Sequence, residues 1–430
     1  MKLNRLRELL LALVGGSAVF LFLWLGLQNS KAVTAAPANT LNRPEDPVVV
    51  AGADLAAFDG ESIDELRLYA FDGSDWSPIP FQIDERLNDI TGTYVISEDG
   101  LLDANDELVF MAKDAGVEAG TGDWPSDTMA LSNPRVQVNV NDPLSPGDMG
   151  WAYLFRSTTL ATNPTVYVDW DFALQTVTAL SYTASFTDDF IGLADITVNG
   201  NGIDILDRQK TRVDTDIIDL NEETLTLLIT PTITIPVVGP VRGVANGGDF
   251  NISIYGARLD SAVSFDTSIS PFAVESVRNS LDLNDPTVTG VTNYFNSNGV
   301  SVPIDGVNDV VGASPRVDWF QASGASGGMV VAFPTVNAGG GTVTNYYKDD
   351  SAIDPGDTGD QQSYADSGLF ISNPGGVIDF SLVTFILPPN STTSVGDDYF
   401  DRISSPLTTT TTTQVFEEEF NVYMPVVLKP

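Results

Sequence analysis

Acidic and amide side chains crowd one short segment in the first quarter of the chain. Calcium binds such oxygen ligands, takes about six to eight of them and tolerates loose geometry. The spacing differs from that of an EF-hand, because with Asp103 as the first ligand the sixth position, which requires glycine, is Leu108. The segment predicts either a calcium site or a solvated acidic turn that leads into an apolar strand. The candidate calcium ligands are Asp99, Asp103, Asn105, Asp106 and Glu107.

Basic residues are scarce, yet three of them occupy alternate positions. Arg208, Lys210 and Arg212 lie on one face if this segment is a strand, because alternate side chains of a strand point the same way. Together they could hold an anion such as the carboxylate of a uronate sugar. The competing interpretation, which the short spacing favours, is local pairing with the nearby carboxylates of Asp204, Asp207, Asp214 and Asp216.

Two adjacent tyrosines precede a second acidic stretch. A tyrosine can act as the base of a polysaccharide lyase when an arginine or lysine neutralises the uronate carboxylate. The candidate catalytic residues for that reaction are Tyr346, Tyr347, Arg208 and Arg212. The acidic stretch itself is interpreted as a mobile surface loop, and its carboxylates are Asp349, Asp350, Asp354, Asp357 and Asp360.

Histidine and cysteine are both absent from the 430 residues. Their absence excludes Ser-His-Asp triads, thiolate nucleophiles, disulfides and metal centres with histidine or cysteine ligands. Carboxylate, tyrosine, lysine and arginine chemistry remains. A glycoside hydrolase needs two carboxylates at a set separation, but no spacing in this sequence identifies such a pair. We therefore predict a non-catalytic protein, with a polysaccharide lyase or a glycoside hydrolase as the alternative.

Acidic residues outnumber basic residues by 58 to 20, which gives a formal net charge of −38. A field of this sign repels nucleic acid and anionic lipid and attracts cations. We therefore expect no nucleic-acid partner. Solubility in a salty or acidic medium is an equally simple reason for the charge.

The first residues have the order of an export signal. Lys2, Arg5 and Arg7 precede an uncharged apolar run at residues 9–27, and small residues follow. Cleavage is expected in the small-residue tract, although the run is also close to the roughly 20 residues that span a bilayer, so an uncut anchor is the alternative. Residues 1–38 are thus predicted to be a signal peptide or N-terminal anchor. The rest of the chain is predicted to be extracellular or at the cell surface, with membrane contact only through an uncut anchor.

Beyond residue 38, strand and turn signals dominate and helix signals are almost absent. An alternating apolar run meets a turn at Asp72-Gly73 and continues into a second run from Trp76, which predicts a hairpin. Pro78 places the return strand at a sheet edge. The uncharged residues 224–241 contain prolines and are predicted to form paired strands rather than a membrane hairpin. Short strands at this spacing predict an all-β fold, a β-sandwich with a smaller N-terminal β lobe.

A loop-like stretch at residues 142–147 predicts a division of the chain. The segment before it, residues 39–145, is the expected N-terminal β lobe. The segment after it, residues 146–405, is the expected main β-sandwich domain. The two segments are either two domains or two lobes of one domain.

The end of the chain is predicted to leave the folded part. Six consecutive threonines, Thr408 to Thr413, indicate an extended Thr-rich linker at residues 406–416. Residues 417–430 form a C-terminal tail that resembles the Tyr-x-Pro-hydrophobic-basic ends of some secreted bacterial proteins, which implies export or surface sorting. A final strand that closes a sheet is the alternative.

The most pattern-like segment is the acidic block, residues 81–110, with the motifs Gln82-Ile83-Asp84 and Asp106-Glu107-Leu108-Val109-Phe110. This block resembles the N-terminal block of uncharacterised secreted bacterial β-proteins, some of which are similar to carbohydrate-active supersandwich proteins. The resemblance covers a small part of the chain. It implies a supersandwich-like fold and a role with carbohydrate.

These observations favour an exported, non-catalytic protein that binds glycan or serves the cell envelope. A polysaccharide or cell-envelope glycan is the expected partner, and calcium is the candidate cofactor. A periplasmic solute-binding protein is disfavoured because that class alternates strands with helices. Four tryptophans could stack on sugar rings where they are exposed, although most large aromatic residues are core residues: Trp124, Trp151, Trp170 and Trp319.

Overall fold

A computed structural model of the chain describes residues 39–87, 93–171, 173–187, 192–225, 234–247 and 250–417. Strands predominate in these residues, and Ala38–Pro430 cluster as one compact unit. The predicted signal peptide or anchor lies outside the described residues, as does the C-terminal tail beyond Glu417. In the part of the chain that is described, no helix combines the length and apolarity needed to cross a membrane.

The strands of the N-terminal part are β1 Pro47–Ala51, β2 Leu66–Phe71, β3 Trp76–Pro78, β4 Phe81–Asp84, β5 Glu107–Met111, β6 Arg135–Asn141 and β7 Met149–Arg156. The middle part forms β8 Val168–Asp171, β9 Thr176–Ala179, β10 Tyr182–Phe186, β11 Leu193–Val198, β12 Leu206–Thr215, β13 Asp219–Leu220, β14 Thr234–Val238, β15 Gly243–Asn246, β16 Phe250–Ile254 and β17 Arg258–Asp266. The last part forms β18 Val274–Leu283, β19 Val291–Asn296, β20 Ser301–Pro303, β21 Trp319–Gly324, β22 Gly327–Ala332, β23 Val336–Ala338, β24 Thr342–Asp350, β25 Ser363–Ser372, β26 Val377–Leu387 and β27 Thr408–Gln414.

The helices are short. The α-helices are α1 Thr128–Ser132, α2 Pro286–Thr289 and α3 Gly396–Ser404. Segments of tighter 3₁₀ helix occur at Gly52–Phe58, Ile63–Glu65, Ala112–Asp114 and Thr267–Ile269. This distribution agrees with the scarcity of helix signals in the sequence.

The N-terminal sheet has the strand order β27-β6-β7-β2-β3, and a separate three-stranded sheet has the order β1-β5-β4. The predicted hairpin is confirmed, because β2 and β3 pair in antiparallel fashion. Its turn contains Gly73 with φ of +102°, a conformation that glycine adopts without steric cost. Strand β3, with Pro78, lies at the sheet edge as expected.

The boundary expected near residue 145 falls in the turn between β6 and β7. These strands pair along their whole length, and β7 also pairs with β2. Residues up to Arg156 therefore belong to the N-terminal sheet and not to the segment that follows. The proline and glycine of this stretch mark a hairpin connection, because adjacent antiparallel strands need only a short turn.

The run of threonines is a strand, not the linker that composition indicated. Strand β27 pairs with β6 from Thr408 opposite Asn141 to Gln414 opposite Arg135. Threonine is β-branched and favours extended backbone, and β6 offers a free sheet edge. The same residues that suggest an extended linker therefore complete the N-terminal sheet.

Two further sheets form a sandwich. The central sheet has the order β13-β12-β18-β25-β24, and the large sheet has the order β14-β15-β16-β17-β26-β22-β21-β19-β20, with β23 also paired to β26. One apolar cluster joins Val277 and Leu369 of the central sheet to Phe320 and Met329 of the large sheet. Sheets that share a core face to face form a sandwich, so the predicted all-β, sandwich-like fold is confirmed.

Part of the uncharged segment 224–241 is described. Strand β14 pairs with β15, where Val237 lies opposite Val244, as expected for paired strands. Residues 226–233 lie outside the described residues.

The central sheet has one apolar and one polar face. Val213, Val277 and Leu281 face the shared core. The alternate positions of β12 and β18 carry Arg208, Lys210, Arg212, Arg278, Ser280 and Asp282. The loop that joins β24 to β25, residues 351–362, carries Asp357 and Thr358 onto this polar face and is called the covering loop below.

Candidate functional site

A groove of about 370 Å³ opens between the polar face of the central sheet and the covering loop. The sheet contributes Arg212 from β12, Arg278 from β18, and Tyr346 and Lys348 from β24. The covering loop contributes Asp354 and Asp357. Cations, carboxylates and an aromatic ring therefore line one opening.

The pairing of the strands explains why these residues meet. Arg212 lies opposite Arg278 across β12 and β18, while Tyr346 lies opposite Gly368 across β24 and β25. Gly368 has no room for a side chain, because an added Cβ would lie 2.1 Å from the carbonyl oxygen of Asn279. The period of two along each strand brings polar residues that are distant in sequence to the same face.

Asp357 attaches the covering loop to the sheet. Its carboxylate accepts hydrogen bonds from Lys210 Nζ at 2.9 Å and from Arg212 Nη2 at 2.7 Å. Thr358 Oγ1 accepts a further bond from Arg212 Nη2 at 2.7 Å. Burial opposes the charge of Asp357, but the bonds and charges of Lys210 and Arg212 outweigh it and lower its pKa to about 2. This carboxylate is therefore ionised at neutral pH and is occupied in holding the loop.

Lys210 is fully buried beneath the covering loop. Its Nζ lies 2.5 Å from Asp282 Oδ2 in addition to the contact with Asp357. Burial alone would lower the pKa of Lys210, but the charges of Asp282 and Asp366 outweigh burial and raise it. The ammonium group is therefore charged, neutralised and closed to solvent.

The structure places Arg208, Lys210 and Arg212, the basic trio, on one strand and pairs each of them with a carboxylate. Arg208 binds Glu223 at 2.7 Å, and Arg212 contacts Glu222 as well as Asp357. Pairing is thus the right interpretation, but the partners are not the neighbouring aspartates. Two of those neighbours are engaged elsewhere: Asp204 accepts bonds from two backbone N–H groups, and Asp214 accepts one from Ser276. Of the trio, Arg212 lines the groove.

Two groove cations have no hydrogen-bonded partner among the residues that the structure describes. Arg278 Nη1 lies 3.8 Å from Asp366 Oδ2, and Lys348 Nζ lies 3.7 Å from Asp354 Oδ2. The Nε of Arg278 is buried without an acceptor. The guanidinium carbon of Arg278 lies 4.2 Å from the centre of the Tyr346 ring. Sequence reasoning missed both cations, and the only available signal was that Arg278 alternates with Ser280 and Asp282 on β18.

The two candidate tyrosines lie on opposite faces of β24. Tyr346 lines the groove, whereas Tyr347 packs in the core with its ring centre 4.6 Å from that of Tyr294. Burial, and for Tyr346 the nearby charge of Asp366, raises the pKa of both phenols. A phenol with a raised pKa is almost entirely protonated near neutral pH, so very little phenolate is present to accept a proton. The four residues proposed for lyase chemistry are therefore not assembled at one site.

Two carboxylates of the acidic block form hydrogen bonds with Arg242, which lies far away in the sequence. Asp84 Oδ2 accepts a hydrogen bond from Arg242 Nε at 2.8 Å, and Glu107 Oε2 accepts one from Arg242 Nη2 at 2.7 Å. Gln82 Oε1 accepts bonds from the backbone N–H groups of Val241 and Arg242. The motifs that carry the resemblance therefore fix β4 and β5 to the segment that leads into β15.

The predicted calcium ligands are divided between several partners. Asp106 accepts bonds from the N–H groups of Arg86 at 3.0 Å and Asp103 at 2.8 Å, and Asn105 donates to the carbonyl of Arg86. Asp99 accepts from the N–H of Leu101. Within the described ranges, no group of three or more acidic residues is arranged to hold a metal ion. A calcium site at Asp99, Asp103, Asn105, Asp106 and Glu107 stays a prediction.

The second acidic stretch is anchored rather than free. Asp349 is fully buried and accepts bonds from the N–H groups of Asp305 and Gly306 at 3.0 and 3.2 Å. Together with the contacts of Asp357, these bonds anchor the end of β24 that precedes the covering loop and the middle of the loop itself. The expectation of a mobile surface loop missed them because each partner is distant in sequence.

The tryptophans offer little surface for sugar stacking. Trp151, Trp170 and Trp319 are buried in the core. Trp124 is half-buried, and the Arg135 guanidinium lies 4.6 Å from its ring centre. Tyr346 and Phe370 are instead the aromatic residues that line the groove.

Comparison with known proteins assigns no family. No protein-family model matches the chain, and no curated protein matches it in sequence. Among solved structures the chain is similar to an alpha-mannosidase from Enterococcus faecalis, with 10% sequence identity and a TM-score of 0.42. The match covers 88% of this chain and 45% of the mannosidase, so the chain spans less than half the length of that enzyme. A likeness of this degree assigns no function.

Proposed function

We propose that this protein is an exported, non-catalytic carbohydrate-binding protein, and that glycan binds in the groove of the central sheet. The observation that carries the proposal is the groove itself, where an aromatic ring lies beside guanidinium, ammonium and carboxylate groups. Aromatic faces stack on apolar faces of ligands, while planar charged groups donate or accept paired hydrogen bonds. A volume of about 370 Å³ falls within the range of ligand sites and suits a short stretch of sugar units.

The ionisation of the groove residues favours binding over catalysis. A glycosidase acid needs a raised pKa so that it carries a proton at working pH, but the pKa of Asp357 is lowered to about 2. A lyase base needs a pKa near working pH, but that of Tyr346 is raised by burial and by Asp366. Neither group is matched to proton transfer near neutral pH.

The secreted full-length protein should therefore bind glycan without changing it. The test is a panel of neutral and acidic polysaccharides, measured for binding by affinity electrophoresis and for turnover by released reducing ends and unsaturated uronate absorbance. Retention by at least one polysaccharide, with no new product from any, is the expected result. Product release from any substrate would make the protein an enzyme and would contradict the non-catalytic role.

A further inference from the structure

We propose that the groove selects acidic sugars, and that Arg278 and Lys348 recognise the sugar carboxylates. This inference deepens the proposed function and rests on it. The ligand class is a chain of uronate units, in which each sugar carries a planar carboxylate.

Neighbouring cations of the central sheet differ in whether a carboxylate already accepts their hydrogen bonds. Lys210 and Arg212 make hydrogen-bonded contacts with carboxylates at 2.9 and 2.7 Å, so their charges are already neutralised. Arg278 and Lys348 line the same groove, but their nearest carboxylate oxygens are 3.8 and 3.7 Å away. Among the described residues of the groove, Arg278 and Lys348 are therefore the cations with which no carboxylate makes a hydrogen bond.

Arg278 is also largely buried. The Arg278 side chain is 14% exposed, and its Nε has no acceptor among the described residues. A desolvated cation that makes no hydrogen bond is unfavourable, and an incoming carboxylate would supply the missing acceptors. A guanidinium fits a carboxylate in a paired, planar arrangement, which a neutral sugar hydroxyl cannot reproduce.

The two cations lie on different strands, which suits a ligand chain with several carboxylates. Arg278 is on β18 and Lys348 is on β24, with β25 between them. Two strand spacings amount to about 10 Å between their backbones, and the guanidinium of Arg278 extends toward Asp366, which lies opposite Lys348. A chain that carries a carboxylate on each sugar can offer a separate acceptor to each cation. The Tyr346 ring, which lies against Arg278, provides a surface for the sugar between them.

The negative charge of the whole protein does not prevent this binding. Repulsion between exposed charges is largely screened beyond about 8 Å at physiological salt. Contacts inside a partly buried groove are screened much less. Local cations therefore determine selectivity even in a chain with a formal charge of −38.

Calorimetry with oligogalacturonate and with its methyl ester tests the inference, because esterification removes the carboxylate charge and leaves the sugar chain. The full-length protein should bind the acid roughly tenfold tighter than the ester, as expected for a charge-assisted pair. Arg278→Gln and Lys348→Gln should each remove most of this preference, because the variant binds the acid more weakly. Lys348 is 29% exposed, so its variant is expected to fold even if the Arg278 variant does not. Arg156→Gln, which removes a cation from the N-terminal sheet, is the matched control.

The outcomes separate the two proposals. Equal binding of acid and ester, with binding lost in Tyr346→Ala, would overturn the carboxylate selectivity and keep the glycan-binding function. A preference for the acid that persists in both Gln variants would also overturn the role of Arg278 and Lys348. Binding that no groove substitution changes would overturn the proposed function itself.

Discussion

Arg242 is the buried cation that pairs with carboxylates of the acidic block. Its guanidinium donates hydrogen bonds to the carboxylates of Asp84 and Glu107. A buried guanidinium needs such partners, because an unpaired buried charge is strongly destabilising. The carboxylates of this contact stood out in the sequence, but their arginine partner did not, because Asp84 and Arg242 are 158 positions apart. Patterns of local spacing can identify a polar cluster, whereas its partner of opposite charge depends on the fold.

Asp357 makes the free energy of unfolding depend on pH in the acid range. Its pKa is lowered from 3.8 to about 2, so the ionised form is favoured in the folded state. The stabilisation is complete above the unfolded pKa of about 3.9 and is lost as the pH falls toward 2. Asp357→Asn should lower the free energy of unfolding by about 2 kcal/mol at neutral pH, with the gap to wild type closing below about pH 4.

Urea denaturation of both proteins from about pH 6 to about pH 2 measures that gap. Groups that titrate in the same way in both proteins contribute equally to the two free energies of unfolding, so their contributions cancel in the difference. Asp169→Asn, at an exposed position of β8, is the control and should stay close to wild type throughout. A gap for Asp357→Asn that is constant across this range would show that its charge does not hold the covering loop.

At the scale of elements, the alternation of residues predicted strands and faces but not strand neighbours. The trio Arg208, Lys210 and Arg212 was correctly placed on one face of a strand. Its partners were not, because Lys210 and Asp357 are 147 positions apart and meet through the order β12-β18-β25-β24. The threonine run was misassigned for the same reason. Its preference for extended backbone is visible in the sequence, but the free edge of β6 with which it pairs is visible only in the folded sheet.

Strand β27 should be required for a stable N-terminal sheet. A chain that ends at residue 405 lacks β27, exposes the edge of β6 and removes the 2.7 Å contact of Arg135 Nε with Gln414. Exposed edges pair with other chains, so we expect a lower melting temperature and aggregation. Thermal melting with light scattering compares this chain with one that ends at residue 417. Equal melting temperatures would indicate that β27 contributes little.

For the whole molecule, composition predicted the architecture more successfully than the division of the chain. Short strands bounded by turn residues predicted a β-sandwich, and the cluster shared by the central and large sheets is its core. The turn near residue 145 looked like a domain boundary because hairpin turns and linkers use the same residues. The groove could not be predicted as a unit, because Arg212, Arg278 and Tyr346 come from three strands that only the sheet order unites.

If glycan binds in the groove over Tyr346, its affinity depends on the ring of Tyr346, which a single titration measures. The polysaccharide that the wild-type protein retains most strongly would be titrated into Tyr346→Ala, Tyr346→Phe and the core variant Tyr347→Phe. Binding should be lost in Tyr346→Ala, while it persists in Tyr346→Phe, which keeps the ring, and in Tyr347→Phe, which lies on the opposite face. Undiminished binding by a folded Tyr346→Ala protein would show that the glycan binds elsewhere.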